Sequence, residues 1–331
     1  MTLVRKEVFR PRPVNRCKFM TSHYARQEEM LAAMNTIRDC VRLGVSWFQQ
    51  AEIYYGHGTD NALDEATSLV LYALNLPNDL PGHFMDSALT VSERDQVFDL
   101  FRRRVEQRVP APYLTGRIWF AGHEFKVNEH VLIPRSPIAE LIDEAFTPWV
   151  EPDHVERVLD MCTGSACIAI ACAYVFPEAT VDAVDISCEA LAVAQDNVEK
   201  HEMAAQVSLI ESDLFSGLGD RHYDLIVTNP PYVDVSEMAD RPEEYLHEPE
   251  LALASGHDGL DAIRVILRES ADHLNDGGVL VAEVGASQSL LAEAFPQVPF
   301  LWLDFEHGGD GVFVLTREQL VDFQELFDAD S

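Results

Sequence analysis

The chain changes rhythm once: up to about Val109 apolar residues recur at helical spacing, and from Val155 short apolar runs alternate with amphipathic segments. In "EEMLAAMNTIRDCVRLGVSWF" Leu31, Met34, Ile37, Val41 and Val45 fall near one helical face. "LDEATSLVLYAL" and "SERDQVFDLFRRRVEQRV" predict two further helices, the second with Ser92 and Asp95 as an N-terminal cap pair. Ahead of both, "YYGHGTD" (Tyr54 to Asp60) is turn chemistry whose aromatics could equally serve a partner. "GRIWFAGHEFKVNEHVLIPRSP" alternates apolar and polar residues around a glycine and predicts a β-hairpin.

Beyond Val155 the order is "RVLDMC", "ACIAIACAYVF", "TVDAVDI", "EALAVAQDNVEKH", "VSLIESD", "YDLIVTN", "DAIRVILRESADHL", "GGVLVAEVG" and "QSLLAEAF". This alternation of buried strands and helices is the signature of an α/β fold, a doubly wound parallel sheet covered on both faces. The final "DGVFVLT" has no crossover helix after it, which predicts a closing antiparallel strand. The expected organisation is therefore an N-terminal extension over 1–26, a small helical domain over 27–112 serving substrate recognition, a linking hairpin over 113–136 and a catalytic domain over 137–331.

Composition narrows the class. A chain of 331 residues with 47% apolar content can bury a substantial core. It has no apolar run of the roughly 18–20 residues that a membrane span needs, and its basic start lacks the apolar stretch of a secretory signal. A cytoplasmic protein without a membrane partner is expected. The net charge of −32 argues against backbone-driven nucleic-acid binding and fits a salt-adapted cytoplasm or a basic partner. The extension reverses this sign, with Arg5, Lys6, Arg10, Arg12, Arg16, Lys18 and Arg26 against Glu7. It reads as a disordered tail, as residues upstream of a start at Met20, or as a basic arm for RNA. Six cysteines form no C-x-x-C pair, and the three that recur every five residues in an apolar run, Cys162, Cys167 and Cys172, are expected as buried thiols. No metal site is expected either, since His123-Glu124 lacks the second His that a zincin helix requires.

In doubly wound sheets ligands sit at the carboxyl ends of the strands, so the residues just after each predicted strand carry the information. After the first stands "DMCTGSA": Asp160, Cys162, Thr163, Gly164, Ser165 and Ala166, small enough in its second half for a ligand to approach the backbone. It is neither G-x-G-x-x-G nor a phosphate-binding loop with its lysine. The second strand ends in Asp185, placed to accept from both hydroxyls of a ribose and to repel a ribose phosphate. The third ends in Asp213-Leu214, where an acid can meet an adenine amino group. Each Asp alone could be a helix cap. Three at consecutive strand ends suit a cationic nucleoside without phosphates, which S-adenosylmethionine is.

The fourth strand stops at Asn229-Pro230-Pro231-Tyr232. Each proline fixes its own φ and holds the residue before it extended, so the loop has little freedom. The Asn229 side-chain oxygen and the Pro230 carbonyl can then converge as acceptors on one substrate –NH2, beside the aromatic wall of Tyr232. That would aim the nitrogen lone pair at a sulfonium methyl without a strong base.

These segments resemble the class I, seven-strand S-adenosylmethionine-dependent methyltransferases, with a Rossmann-like sheet and a last antiparallel strand. "NPPY" marks those acting on amide or exocyclic amino nitrogens. Within them the chain resembles the PrmB/HemK family of protein-glutamine methyltransferases from about Met30 onward, through "YYGHGTDNALDEA", "PAPYLTG", "EPELALASGHDGL", "AEVGASQ" and "GGDGVFVLT". "IPRSPIAELI" is similar to the PrmB branch, whereas the release-factor branch tends to Pro-Arg-Pro-x-Thr-Glu. The resemblance implies S-adenosylmethionine as cofactor and Asn229, Pro230, Pro231 and Tyr232 as catalytic residues. It implies as substrate a glutamine of large-subunit ribosomal protein L-three, free or in nascent ribosomal particles. Arg135, within the predicted hairpin segment, and Tyr232 are the expected substrate contacts. The chain departs from the family's Gly-x-Gly-x-Gly at Cys162 and Ala166. Competing expectations are a release-factor glutamine methyltransferase, a nucleic-acid amino-methyltransferase and a non-catalytic ribosome-assembly factor.

Overall fold

The computed structural model describes residues 34–235 and 241–329, so the basic extension over 1–26 and Leu31 lie outside the described residues. The chain forms two compact units. One comprises residues up to Gln50 with Ala62–Phe101, the other Ala51–Asn61 with Arg102–Ser331. The loop at 51–61, inside the stretch expected as one helical domain, thus belongs with the second unit.

In the helical unit α1 is Ile37–Gln50, α2 Ala62–Ala73, and α3 begins at Val91 and runs on to Glu106. α1 starts later than its periodicity predicted, because Thr36 and Asp39 cap each other: Asp39 accepts the Thr36 N–H and Thr36 Oγ1 the Asp39 N–H. Met34 therefore precedes the helix. The cap pair expected at Ser92 and Asp95 is likewise corrected to Thr90 and Glu93, which exchange the same reciprocal bonds. Thr90 can leave the helix and accept, whereas Ser92 already lies inside it. The helices meet closely at Gly44, where a Cβ would stand 2.5 Å from the Phe101 ring, and Phe48 meets that ring edge-on at 5.3 Å.

Past the end of α3 the second unit continues with α4 (Ala111–Thr115) and the antiparallel hairpin of β1 (Arg117–Phe120) and β2 (His123–Lys126). His123 stacks on Tyr174 at 4.0 Å. After α5 (Ile138–Asp143) come β3 (Arg157–Met161), α6 (Cys167–Val175), β4 (Thr180–Asp185), α7 (Cys188–Lys200), β5 (Val207–Glu211), β6 (Tyr223–Thr228), α8 (Asp261–Glu269), β7 (Leu274–Glu283), α9 (Gln288–Ala294), β8 (Leu301–Trp302), β9 (Val312–Thr316), α10 (Arg317–Asp322) and α11 (Gln324–Ala329). The strand order β5-β4-β3-β6-β7-β9-β8 is parallel except for β9, which runs antiparallel between β7 and β8. The two-residue β8 carried no signal in the sequence.

Both faces of the sheet are buried, so neighbouring strand residues point into different cores. Val158, Leu225 and Val281 join α6 and α7, while Leu159, Ile226 and Leu280 join α8 and α9. Each such side chain contributes roughly 1.5–3 kcal/mol by leaving water. The chain winds outward from β3 to β5 and then returns to β6 beside β3, which opens a crevice at the carboxyl ends of those two strands. Among the described residues no helix is long and apolar enough to cross a membrane.

Candidate active site

Three residues of the loop after β3 have left-handed backbone: Cys162 (φ 61°), Gly164 (φ 55°) and Ala166 (φ 61°). Asp160 lies beneath this loop rather than on a cavity wall. Its Oδ2 accepts the Thr163 hydroxyl and the Ala169 N–H, and it is wholly buried. Its Oδ1 is buried without a partner, and burial pushes the carboxyl up to about 7. Thr163 and Ser165 are buried as well, and Ala166 caps α6. From β4, Asp185 closes the loop from the side: Oδ2 accepts the Gly164 N–H at 2.8 Å and Oδ1 the Ser187 N–H at 2.9 Å. Burial raises this carboxyl above its ordinary value.

A cavity of about 390 Å³ opens here, lined by Cys162, Gly164, Asp185, Asp213, Leu214 and Asn229 among others. That volume lies within the range of small-molecule sites. Of the acids on its wall, Asp185 and the exposed Asp213 are two of the three expected to meet the cofactor, and Asp261 is a further one. The segment 130–132 and residues 249–256, to which the sequence reading gave no site role, supply further wall.

The tetrapeptide sits at the crevice. Thr228 at the end of β6 donates its hydroxyl to the Met161 carbonyl (2.8 Å), tying the ends of β6 and β3 together. Next, Asn229 lines both the first cavity and a second one of about 200 Å³. Its Oδ1 is buried and has no hydrogen-bond partner. A buried polar atom without a partner is costly unless a bound group completes it. Pro230 is buried, Pro231 faces the first cavity and Tyr232 the second. Tyr232 is fastened at both ends, its hydroxyl donating to Glu283 (3.1 Å) and its carbonyl accepting from Ser287 (2.7 Å). Its ring packs on the backbone of Gly285, where a Cβ would be 2.6 Å away. Glu283 also accepts the Ser136 hydroxyl, and burial raises its carboxyl.

The second cavity gathers Asn229, Tyr232, Arg135, Arg241 and Tyr245. The guanidiniums of Arg135 and Arg241 lie 5.5 and 5.0 Å from the Tyr245 ring centroid. Arg135 makes a two-pronged pair with Glu248, Nη1 to Oε1 at 2.6 Å and Nη2 to Oε2 at 2.9 Å. Behind the first cavity, the carboxamide of the fully buried Asn197 on α7 accepts the Lys126 N–H (2.7 Å) and donates to the carbonyls of Lys126 and Ser165. It thereby joins the hairpin to the loop after β3. Sequence reasoning missed Asn197, Arg241, Tyr245, Glu248 and Glu283. Two of them stood inside segments quoted for the resemblance, Glu248 in "EPELALASGHDGL" and Glu283 in "AEVGASQ", with no role of their own, and Glu244 and Glu248 form a pair of acids four apart between prolines.

A family model described as the methyltransferase small domain matches residues 143–256. The chain is 45% identical over 303 residues to the ribosomal protein uL3 glutamine methyltransferase of Francisella tularensis, covering 91% of this chain and 96% of that protein. It is 49% identical over 290 residues to the protein of the same name from Neisseria gonorrhoeae, covering 87% and 96%. Among solved structures, a methyltransferase from Pyrococcus furiosus is similar at 19% identity and a TM-score of 0.43, over 67% of this chain and 98% of that one.

Proposed function

The chain belongs to the family of ribosomal protein uL3 glutamine methyltransferases, and from that premise we propose that it transfers a methyl group from S-adenosylmethionine to the side-chain amide nitrogen of a glutamine in uL3. The observation that carries the proposal is the partnerless Oδ1 of Asn229, buried where the two cavities meet.

The residues present fit the cofactor. Asp185 and Asp213 offer carboxylates to a ribose and an adenine amino group, and Gly164 leaves the loop backbone open beside them. Asp185 uses one acceptor site on each oxygen for backbone N–H groups and keeps others for a ligand. When bound, S-adenosylmethionine supplies an electrophilic methyl on a sulfonium. Asn229 accepts an N–H of the substrate amide at Oδ1, which holds the nitrogen at the junction. Amide nitrogen is a weak nucleophile, so its orientation and the stabilisation of charge building on it are what the protein contributes. Tyr232, fixed by Glu283, Ser287 and Gly285, is a wall that keeps the planar carboxamide in line.

The net charge of −32 supports a basic protein partner over a phosphate backbone. The same reading places the reaction in the cytoplasm, on free uL3 or on nascent ribosomal particles. Incubating purified protein with methyl-labelled cofactor and ribosomal proteins from undermethylated ribosomes tests it. Label on uL3 is expected, and label on release factors alone would replace the substrate.

A further inference from the structure

Two segments wall both cavities. The strap at 130–135 gives His130, Val131 and Leu132 to the first, and Leu132 and Arg135 to the second. The segment at 245–256 gives Pro249, Ala252 and Ser255 to the first, and Tyr245, Ala252 and Leu253 to the second. This segment pairs directly with the chain leaving the tetrapeptide: Val233 donates its N–H to the Leu253 carbonyl (2.8 Å), and Ser255 donates to the Val233 carbonyl (2.9 Å).

One side chain fastens the strap to this segment. Glu248 accepts the Ile133 N–H at 3.0 Å and both prongs of Arg135, while Arg135 Nη1 also donates to the Ile133 carbonyl at 3.1 Å. From the loop "YYGHGTD" comes the buried His57, whose Nε2 stands 3.4 Å from Glu248 Oε2. The Glu248 carboxylate is 0% exposed and lines neither cavity. Burial opposes its charge, yet His57 and Arg135 hold the carboxyl at about 2.

We infer that Glu248 is a positioning residue for methyl transfer: a carboxylate that touches neither ligand holds the walls of both cavities, and so the junction at Asn229, in register. The inference rests on the proposed function for its substrate side only.

Glu244, one helical turn earlier, provides the control. It too is buried and charge-paired, with Arg104 (3.2 Å) and Arg108 (3.4 Å), and it accepts the Tyr54 N–H (3.2 Å), but it holds no part of the strap. Losing either carboxylate removes a charge partner from arginines that lie largely out of water, so both Glu248→Gln and Glu244→Gln lower the melting temperature.

The discriminating readouts are hydrogen exchange of the strap and calorimetric affinity for S-adenosylhomocysteine, neither of which needs the protein substrate. Glu248→Gln speeds exchange at Ile133 and weakens the analogue about tenfold, with kcat falling as well, whereas Glu244→Gln leaves the affinity within about twofold. Arg135→Lys, which keeps the cation and loses the fork, speeds strap exchange in the same direction if Glu248→Gln does not fold. Unchanged exchange and affinity in Glu248→Gln, or equal losses in Glu244→Gln, would overturn the inference. Absence of methyl transfer to uL3 by the wild type would sink the proposed substrate and leave these two readouts to judge Glu248.

Discussion

Asp185 reaches 21 residues back along the chain to accept the Gly164 N–H at 2.8 Å, so the acid proposed to bind the ribose also shapes the loop beside it. Removing it has two effects on one ligand. Asp185→Ala is expected to weaken S-adenosylhomocysteine at least about tenfold, or about 1.4 kcal/mol. Calorimetry reads this directly, and unaltered affinity would contradict the ribose assignment.

Ala166 sits at φ 61° with no exposed surface, a conformation that glycine adopts freely and other residues adopt at about 1–2 kcal/mol. The alanine is tolerated because its one methyl joins the core. Ala166→Val adds branching at Cβ in that conformation and is expected to destabilise by more than about 2 kcal/mol, whereas Ala166→Gly holds or gains stability. Thermal melts of the two variants check both signs.

Asn197 carries three hydrogen bonds from one buried carboxamide. Asn197→Ala is expected to cost about 2–4 kcal/mol, because it leaves the Lys126 N–H and two carbonyls without partners. Denaturant titration measures it. A change under about 0.5 kcal/mol, the range of an ordinary surface substitution, would show that the clamp is dispensable.

The Asp160 carboxyl stands at about 7, raised by burial and by the nearby Asp185 charge against the hydrogen bonds from Thr163 and Ala169. A carboxyl raised in the folded state contributes stability below its unfolded value, 3.8, and that contribution is lost as pH rises through about 7. Asp160→Asn removes the titration. The melting temperature of the variant relative to wild type should therefore climb between about pH 4 and pH 8, by the equivalent of a few kcal/mol at most. A flat difference would mean that Asp160 does not titrate there.

The sheet was legible because buried parallel strands read as apolar runs and the helices between them as amphipathic ones. The first wall of the site was legible for a related reason: Asp185, Asp213 and Asn229 directly follow such runs, where a doubly wound sheet places its ligands. Chain order gave no such guide to the second cavity. Arg135 was expected as a substrate contact, but its partner Glu248 lies 113 residues away and looks locally like a solvated charge. Asn197 looks like the polar face of α7. Asp160 was legible as a strand-end acid, but its rotation beneath the loop is decided by the Thr163 hydroxyl and the Ala169 N–H, a matter of packing rather than pattern. The cap at Thr90 shows the same limit at one helix end, since two hydroxyls two residues apart suit a cap equally on paper.

The most direct test concerns Asn229, whose partnerless Oδ1 carries the proposed function. Peptide mass spectrometry of uL3, after timed incubation with cofactor and either wild type or Asn229→Ala, measures site and rate together. The account predicts one added methyl on a single glutamine, formed at least about a hundredfold more slowly by the variant. A methyl on another residue type, or equal rates from the two proteins, would contradict it.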